Sequence, residues 1–421
     1  MSNILVFTAR NLYKPDIQNQ LWTIIAAGVF STFPSLLVLL ATRYLSLEMA
    51  GILAYSIALA DLPRIFAVFG VRPYQSTDIR QEFGFNVYFG MRTICTASAA
   101  AVAFVIFMLM GFDFVQLAAI LLICLIYFTD AYMDVFLGDL QQKGKMRIAG
   151  KMQSSAFFSA VLIFAIGVIF FQQLVLSLVF AGAAVILIYI LWIWGYRSHF
   201  GPIRKKVNLQ LIKSLALKAL PLVISGFISM YLINAQKYYL DAFFTSELVA
   251  IYAILMLPVS LLMLACTSFF GGAVITKSAE ILASGETKRF VRRINLQLIF
   301  ALGLFLPFIA SVFFLGAPLL SWVSSTDITP YKQYLMILSF GGLARLPLCI
   351  LSPLLIILRK QKLILYCNII TGIAAAPVMW FLVYRYGLLG AAFSNLVLFT
   401  PQTLIYFVIY QKKIRSFNYD K

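Results

Sequence analysis

Residues 153–195, QSSAFFSAVLIFAIGVIFFQQLVLSLVFAGAAVILIYILWIWG, contain no charged residue. A helix rises 1.5 Å per residue, so about 20 apolar residues cross a hydrocarbon core of about 30 Å. This stretch is too long for one crossing, and only Gln172 and Gln173 interrupt it. It reads as two spans, 153–172 and 174–195, joined by a tight turn at the two glutamines. A helix apolar on every face belongs in lipid.

Working outward, runs of the same kind lie near 21–42, 50–70, 90–110, 114–138, 215–236, 248–272, 295–316, 333–357, 363–384 and 388–410. Composition agrees with that pattern. Hydrophobic residues make up 62% and charged residues 11%, against about 45–50% and about 25% in soluble domains. The sequence predicts an all-α polytopic membrane protein with about 12 transmembrane helices and little mass outside the bilayer.

Charge orients the chain. The 33 lysines and arginines outnumber 15 acids, giving a net charge of +18. In a soluble protein this would suggest nucleic acid; here the cations lie in short gaps between apolar runs, so no nucleic-acid partner is expected. Alternate gaps hold 26 of them, and the other gaps hold only Arg43, Lys237, Lys332 and Arg385. By the positive-inside rule both termini are cytoplasmic, and a miscounted span would mix the two sets. The expected location is a membrane with the cytoplasm on its basic side. No small-residue cleavage site follows the mixed polar residues 1–20, so the first span is expected to remain as an anchor. All five cysteines fall inside apolar runs without metal or disulfide spacing.

The expected organisation is an interfacial arm at 1–20, a six-helix bundle at 21–195, a cytoplasmic linker at 196–214, a second bundle at 215–410 and a tail at 411–421. A faint repeat supports two halves: Glu48-Met49-Ala50-Gly51-Ile52-Leu53-Ala54 opens the second span, and Glu247-Leu248-Val249-Ala250-Ile251-Tyr252-Ala253 opens the eighth. The longest outer connection, 317–332, has room for a small re-entrant or interfacial turn.

Charges inside spans cost about 2.5–3.5 kcal/mol each on insertion scales, so they face a bundle interior or an aqueous cavity. Asp61 and Arg64 lie three apart around Pro63 and share a helix face, as a local pair or as an anion contact whose rotamer Asp61 sets. Asp130 and Asp134 lie four apart and need a cation between them, which Arg64 or a coupling ion would supply. Arg345 falls at mid-depth beside Gly341, Gly342 and Pro347, with no acid within a turn. It calls for an anionic substrate or an ion pair with Asp130 or Asp134. Lys218 and Lys237 lie near opposite ends of the seventh span. Prolines recur inside spans (Pro34, Pro63, Pro221, Pro258, Pro307, Pro347, Pro353, Pro377 and Pro401), as in transporters built from bent helices. The single histidine, His199, has no ligand-spaced companion, and no Walker loop, HExxH or GxSxG is present. No enzyme, metal site or cofactor is expected.

The stretch RYLSLEMAGILAYSIALADLPRIFAVFGV (43–71) with RPYQSTD (72–78) resembles polysaccharide flippases of the multidrug/oligosaccharidyl-lipid/polysaccharide exporter superfamily. So do ALPLVISGFISMYLINAQKYYLDAFFTSELVAIYAILMLP (219–258) and YRYGLLGAAFSNLV (384–397). The resemblance implies two six-helix bundles around a central cavity, a MATE-like arrangement open alternately to either side. It implies as cargo an undecaprenyl-diphosphate-linked oligosaccharide: an O-antigen, capsule or teichoic-acid precursor. It also implies a monomer among membrane lipids and glycan-assembly enzymes. The basic residues Arg64, Arg345, Lys218 and Lys237 suit the diphosphate, and Arg72, Tyr74, Gln75 and Asp78 would meet the headgroup from the cytoplasm. Proton or sodium coupling through Asp61, Asp130 or Asp134 stays open. A cation-coupled drug antiporter of the same superfamily would favour an acidic, aromatic cavity. A membrane glycan polymerase or acyltransferase would need a large outer loop or an intramembrane histidine.

Overall fold

The computed structural model describes residues 17–77, 82–200, 208–271, 278, 280–282, 284–358 and 361–419. Asp78 and most of the amino-terminal arm fall outside these residues. The described chain is helical, with no strand. In chain order the helices are α1 (Ile17–Tyr44), α2 (Leu47–Val68), α3 (Val71–Thr77), α4 (Phe85–Leu109), α5 (Phe114–Gln142), α6 (Met146–Phe171), α7 (Leu174–Gly195) and α8 (Leu209–Phe243). Then follow α9 (Ser246–Leu255), α10 (Leu257–Gly271), α11 (Thr287–Ser311), α12 (Ala317–Ser324), α13 (Lys332–Arg345), α14 (Leu348–Ile357) and α15 (Gln361–Tyr419).

Local chemistry sets the boundaries. Ser46 caps α2 by accepting from the Met49 amide, and Asp113 caps α5 by accepting from Gln116. Phe69 and Gly70 both take positive φ, which ends α2 and turns the chain into α3. Gln172 also takes a left-handed φ of 50°, so the expected glutamine turn closes the α6–α7 hairpin. The eighth span is bent by 43° between α9 and α10, where Pro258 has no N–H to continue the ladder. The tenth breaks between α13 and α14 at Pro347, and Thr403 Oγ1 donates to the Ala344 carbonyl there at 2.6 Å.

Ten described helices are long and apolar enough to cross a membrane, and the bent pair α9–α10 makes an eleventh. α15 is two helices in one trace, because Gly387 breaks it with φ 54° and ψ −126°. Counted so, the apolar segments agree with the dozen read from the sequence. The expected turn within 317–332 takes a different form: a π-helical turn at Val312–Gly316 carries the ninth span on to Ser324. Asp327, beyond it, accepts hydrogen bonds from the Thr329 hydroxyl and amide, which hold its carboxyl below the usual carboxylate range.

Large apolar side chains such as Leu109, Phe114, Phe170, Trp194 and Leu306 stand exposed along the spans, as lipid-facing surface requires. The largest buried cluster runs through both halves of the chain, from Phe33 and Leu53 to Tyr252, Leu335 and Ala391. Toward the end that carries Arg72, Lys143 and Lys288, here the basic end, separate cores form around Tyr88 and Phe136 and around Phe290 and Tyr410. The large cluster thus joins both halves of the chain at the opposite end, and at the basic end the core around Tyr88 and Phe136 also takes in Ile212, Leu215 and Ala219 of α8. The seam of the halves is α2 against α8 and α9. There the two stretches of the faint sequence repeat meet: a Cβ on Gly51 would lie 1.7 Å from the Ser246 carbonyl oxygen.

Candidate functional site

Most of the charged residues singled out within the spans form two groups. The first lies inside the amino-terminal half. Asp134, on α5, accepts from Arg72 Nη1 at 2.9 Å and from Arg92 Nη2 at 2.7 Å. Arg92, on α4, is fully buried and also donates to the Ala67 and Val68 carbonyls at the end of α2. Asp130, one turn away, accepts from Tyr189 of α7 at 2.7 Å and from Gln153 of α6 at 3.2 Å. Arg64 Nη2 approaches Asp130 at 3.8 Å, with its guanidinium 4.5 Å from the Phe30 ring centre and 5.2 Å from that of Tyr127. Arg64 therefore pairs across helices, the cross-helix option of the two read from sequence. Its Nε is buried without a hydrogen bond. Of these groups Phe30, Arg64, Arg72, Asp130, Asp134 and Gln153 line a cavity of about 290 Å³ between α1, α2, α5 and α6.

The second group follows the seam. Asn234 on α8 donates to Asp61 at 3.3 Å, and Lys237 one turn on donates to Asn234 at 3.3 Å. Tyr238 donates to the Ala58 carbonyl at 2.6 Å. Lys237, counted in sequence among the outer-gap charges, lies inside α8 and faces a small cavity of about 70 Å³ between the halves, with Ser35 and Ser260. Among the described residues no carboxylate lies within 4 Å of it.

Arg345 ends α13 at the break and is paired with neither Asp130 nor Asp134, which are engaged elsewhere. Its guanidinium lies 4.9 Å from the Phe399 ring centre. Among the described residues it too has no carboxylate within 4 Å. Lys218 sits near the basic end, paired with Glu82 and above the Phe83 ring at 5.0 Å. Tyr74 donates to the Lys218 carbonyl at 2.6 Å, and Gln75, fully buried, donates to the Val135 carbonyl. Tyr74 and Gln75 thus tie α3 to its neighbours, while Arg72 reaches the cavity.

Sequence reasoning missed Arg92, Gln153 and Tyr189. Arg92 was assigned to a basic gap, although it lies well inside α4; the unmet need of Asp134 for a cation was the signal that could have found it. Gln153 and Tyr189 carry no charge to draw attention. Among the described residues no cluster of three His, Cys, Asp or Glu side chains is placed to hold a metal ion.

No family model matches the chain, and no curated protein matches it. Solved structures do. An inward-facing multidrug resistance MATE family transporter of the MOP superfamily aligns with a TM-score of 0.67 at 14% identity, over 92% of this chain and 95% of that one. The Vibrio cholerae MATE transporter VcmN in its bent form aligns at 0.64 and 17%, over 97% and 98%. A MOP superfamily transporter from Pyrococcus furiosus, described by the reverse polarity of its binding pocket, aligns at 0.62 and 12%, over 96% of each chain. The likeness is one of fold, and the fold is MATE-like.

Proposed function

We propose that this chain is a transporter that flips undecaprenyl-diphosphate-linked oligosaccharide units across a bacterial cytoplasmic membrane by alternating access, with its basic end in the cytoplasm. The observation that carries the reading is a pair of interior cations, Arg345 and Lys237, with no carboxylate within 4 Å among the described residues. Arg64, Arg72 and Arg92 already bind the carboxylates of Asp130 and Asp134. Arg345 and Lys237 are left for an anion that arrives from outside the chain. A guanidinium stacked on Phe399 keeps its planar edge free for a phosphate. In this reading the sugar and diphosphate pass between the halves while the lipid tail stays in the bilayer. The Pyrococcus furiosus transporter, whose pocket polarity was taken to suggest a different function, is a precedent for varied cargo on this fold.

A second reading, a cation-coupled drug antiporter, draws support from the multidrug transporters that share the fold. Acids and aromatic rings do line the cavity between α1 and α5, but arginines occupy the two acids. Expression in a bacterium lacking its own flippase separates the readings. Surface glycan returns with the unaltered chain and is lost with Arg345→Ala at equal protein level. Full rescue by the combined Arg345→Ala and Lys237→Gln chain overturns the phosphate contact, and drug resistance without glycan rescue favours the antiporter.

A further inference from the structure

The first turns of α11 carry Lys288, Arg289, Arg292 and Arg293 within six residues. Glu286 pairs with Arg289 at 3.0 Å. Among the described residues no carboxylate lies within 4 Å of the other three cations. Arg293 Nε is buried and makes no hydrogen bond.

Two grooves flank this segment and share Arg292. One, of about 510 Å³, runs from Lys288 and Arg292 down to Ile299, with Ile414 of α15 as its far wall. The other, of about 490 Å³, runs from Arg292 and Arg293 down to Phe300, with Phe269 and Phe270 of α10 opposite. Each has cations at its rim and an apolar floor one to two turns deeper. The floor faces outward: Leu296, Ile299, Phe300 and Phe269 are each at least half exposed.

Rim and floor together match one kind of molecule. A soluble phosphate would use the rim and leave the floor wet; an uncharged lipid would use the floor and leave the cations without partners. We propose that these grooves hold the phosphate headgroups and acyl chains of anionic phospholipids from the leaflet at the basic end. The bound lipid bridges α10 to α11 on one side and α11 to α15 on the other. Because α10 is the lower arm of the bent eighth span, whose upper arm α9 packs on α2, lipid held there fixes the arm that belongs to the carboxy-terminal half. The site is separate from the interior cations and does not depend on the nature of the cargo.

The test uses the full chain with Phe300→Trp, reconstituted in nanodiscs of phosphatidylcholine with a minority of phosphatidylglycerol, one or the other brominated. Brominated phosphatidylglycerol is expected to quench the new indole more strongly than its mole fraction predicts, whereas a reporter at Leu187→Trp, on the exposed face of α7, shows no such preference. Arg292→Gln with Arg293→Gln removes the preference, by about fivefold per arginine from the usual worth of a cation beside anionic lipid. Arg292→Lys keeps most of it, which guards against a glutamine variant that fails to fold. Equal quenching by the two lipids, or a preference unchanged by the glutamine pair, overturns the proposal. Displacement by soluble glycerol phosphate overturns it in favour of a headgroup-only site.

Discussion

Gly51 of α2 lies directly under the backbone of Ser246 at the start of α9, so close that a Cβ would fall 1.7 Å from the carbonyl oxygen and 2.3 Å from the carbonyl carbon. Backbone cannot swing aside as a side-chain tip can, and small residues are what allow helices to approach this closely in a membrane. Gly51→Ala is therefore expected to force the two halves apart at the end opposite the basic one. A cysteine placed at Ser35, in the small cavity between the halves, reports the change on a background without native cysteines. Its labelling by a water-soluble thiol reagent speeds up in Gly51→Ala and is unchanged in Gly28→Ala, where an added Cβ meets nothing within 4 Å.

Arg92 and Asp134 form a buried pair in which Asp134 is the one carboxylate within 4 Å of Arg92 among the described residues, while Asp134 accepts from Arg72 as well. Removing one partner leaves a charge out of water, at a cost of about 3–5 kcal/mol. Asp134→Leu, which strands Arg92, should lower the unfolding midpoint in detergent by a wide margin, and Arg92→Met by less, because Arg72 still holds Asp134. The double variant should recover much of the loss of Asp134→Leu, because the fully buried guanidinium is gone and Arg72, which loses its carboxylate, is partly exposed at the cavity. Single variants as stable as the parent would contradict this pairing.

Gly387 holds φ 54° and ψ −126°, a region nearly closed to residues with a Cβ. Gly387→Ala is expected to destabilise the turn between the last two spans by about 1–3 kcal/mol, and the added methyl also presses on the Phe244 ring at 3.3 Å. The check is an unfolding midpoint set beside that of Gly195→Ala, which has open space around it.

At Arg345 charge and shape can be separated. Arg345→Lys keeps the cation but loses the planar fork and its stacking on Phe399. Under the proposed function it should support slower glycan export than the parent, while Arg345→Ala supports none. Both chains should fold, since no ion pair within the protein depends on this residue. Equal export by the lysine variant would reduce the role of Arg345 to charge alone.

The number of apolar segments was legible because hydropathy and charge gave independent readings of it. The glutamine turn at 172–173, the weakest link in the count, is formed by Gln172 in a left-handed conformation that the sequence does not announce. The site was legible in parts. Asp130, Asp134 and Arg64 could be brought together by spacing and the cost of a lone charge. Arg92 and Lys237 could not, because gap counting records where a residue falls along the chain and not which way it faces. α8 reaches beyond the apolar run near 215–236, so Lys237 is an interior residue; Arg92, at the edge of the run near 90–110, counts with the gap before it although α4 begins at Phe85. The basic start of α11 was legible as charge, but its two grooves needed α10 and α15 in place beside it.

Arg92 has a further consequence for how the chain is made. With the basic end in the cytoplasm, as proposed, α4 leaves the ribosome before the helix that bears Asp134 exists. During that interval the guanidinium would still be hydrated and would count among the cations that hold the start of α4 on the cytoplasmic side. Once α5 inserts, the same group is drawn out of water onto Asp134 and the carbonyls of α2. A topological signal used early thus becomes a structural rivet, and afterwards no change in cytoplasmic charge can reach it.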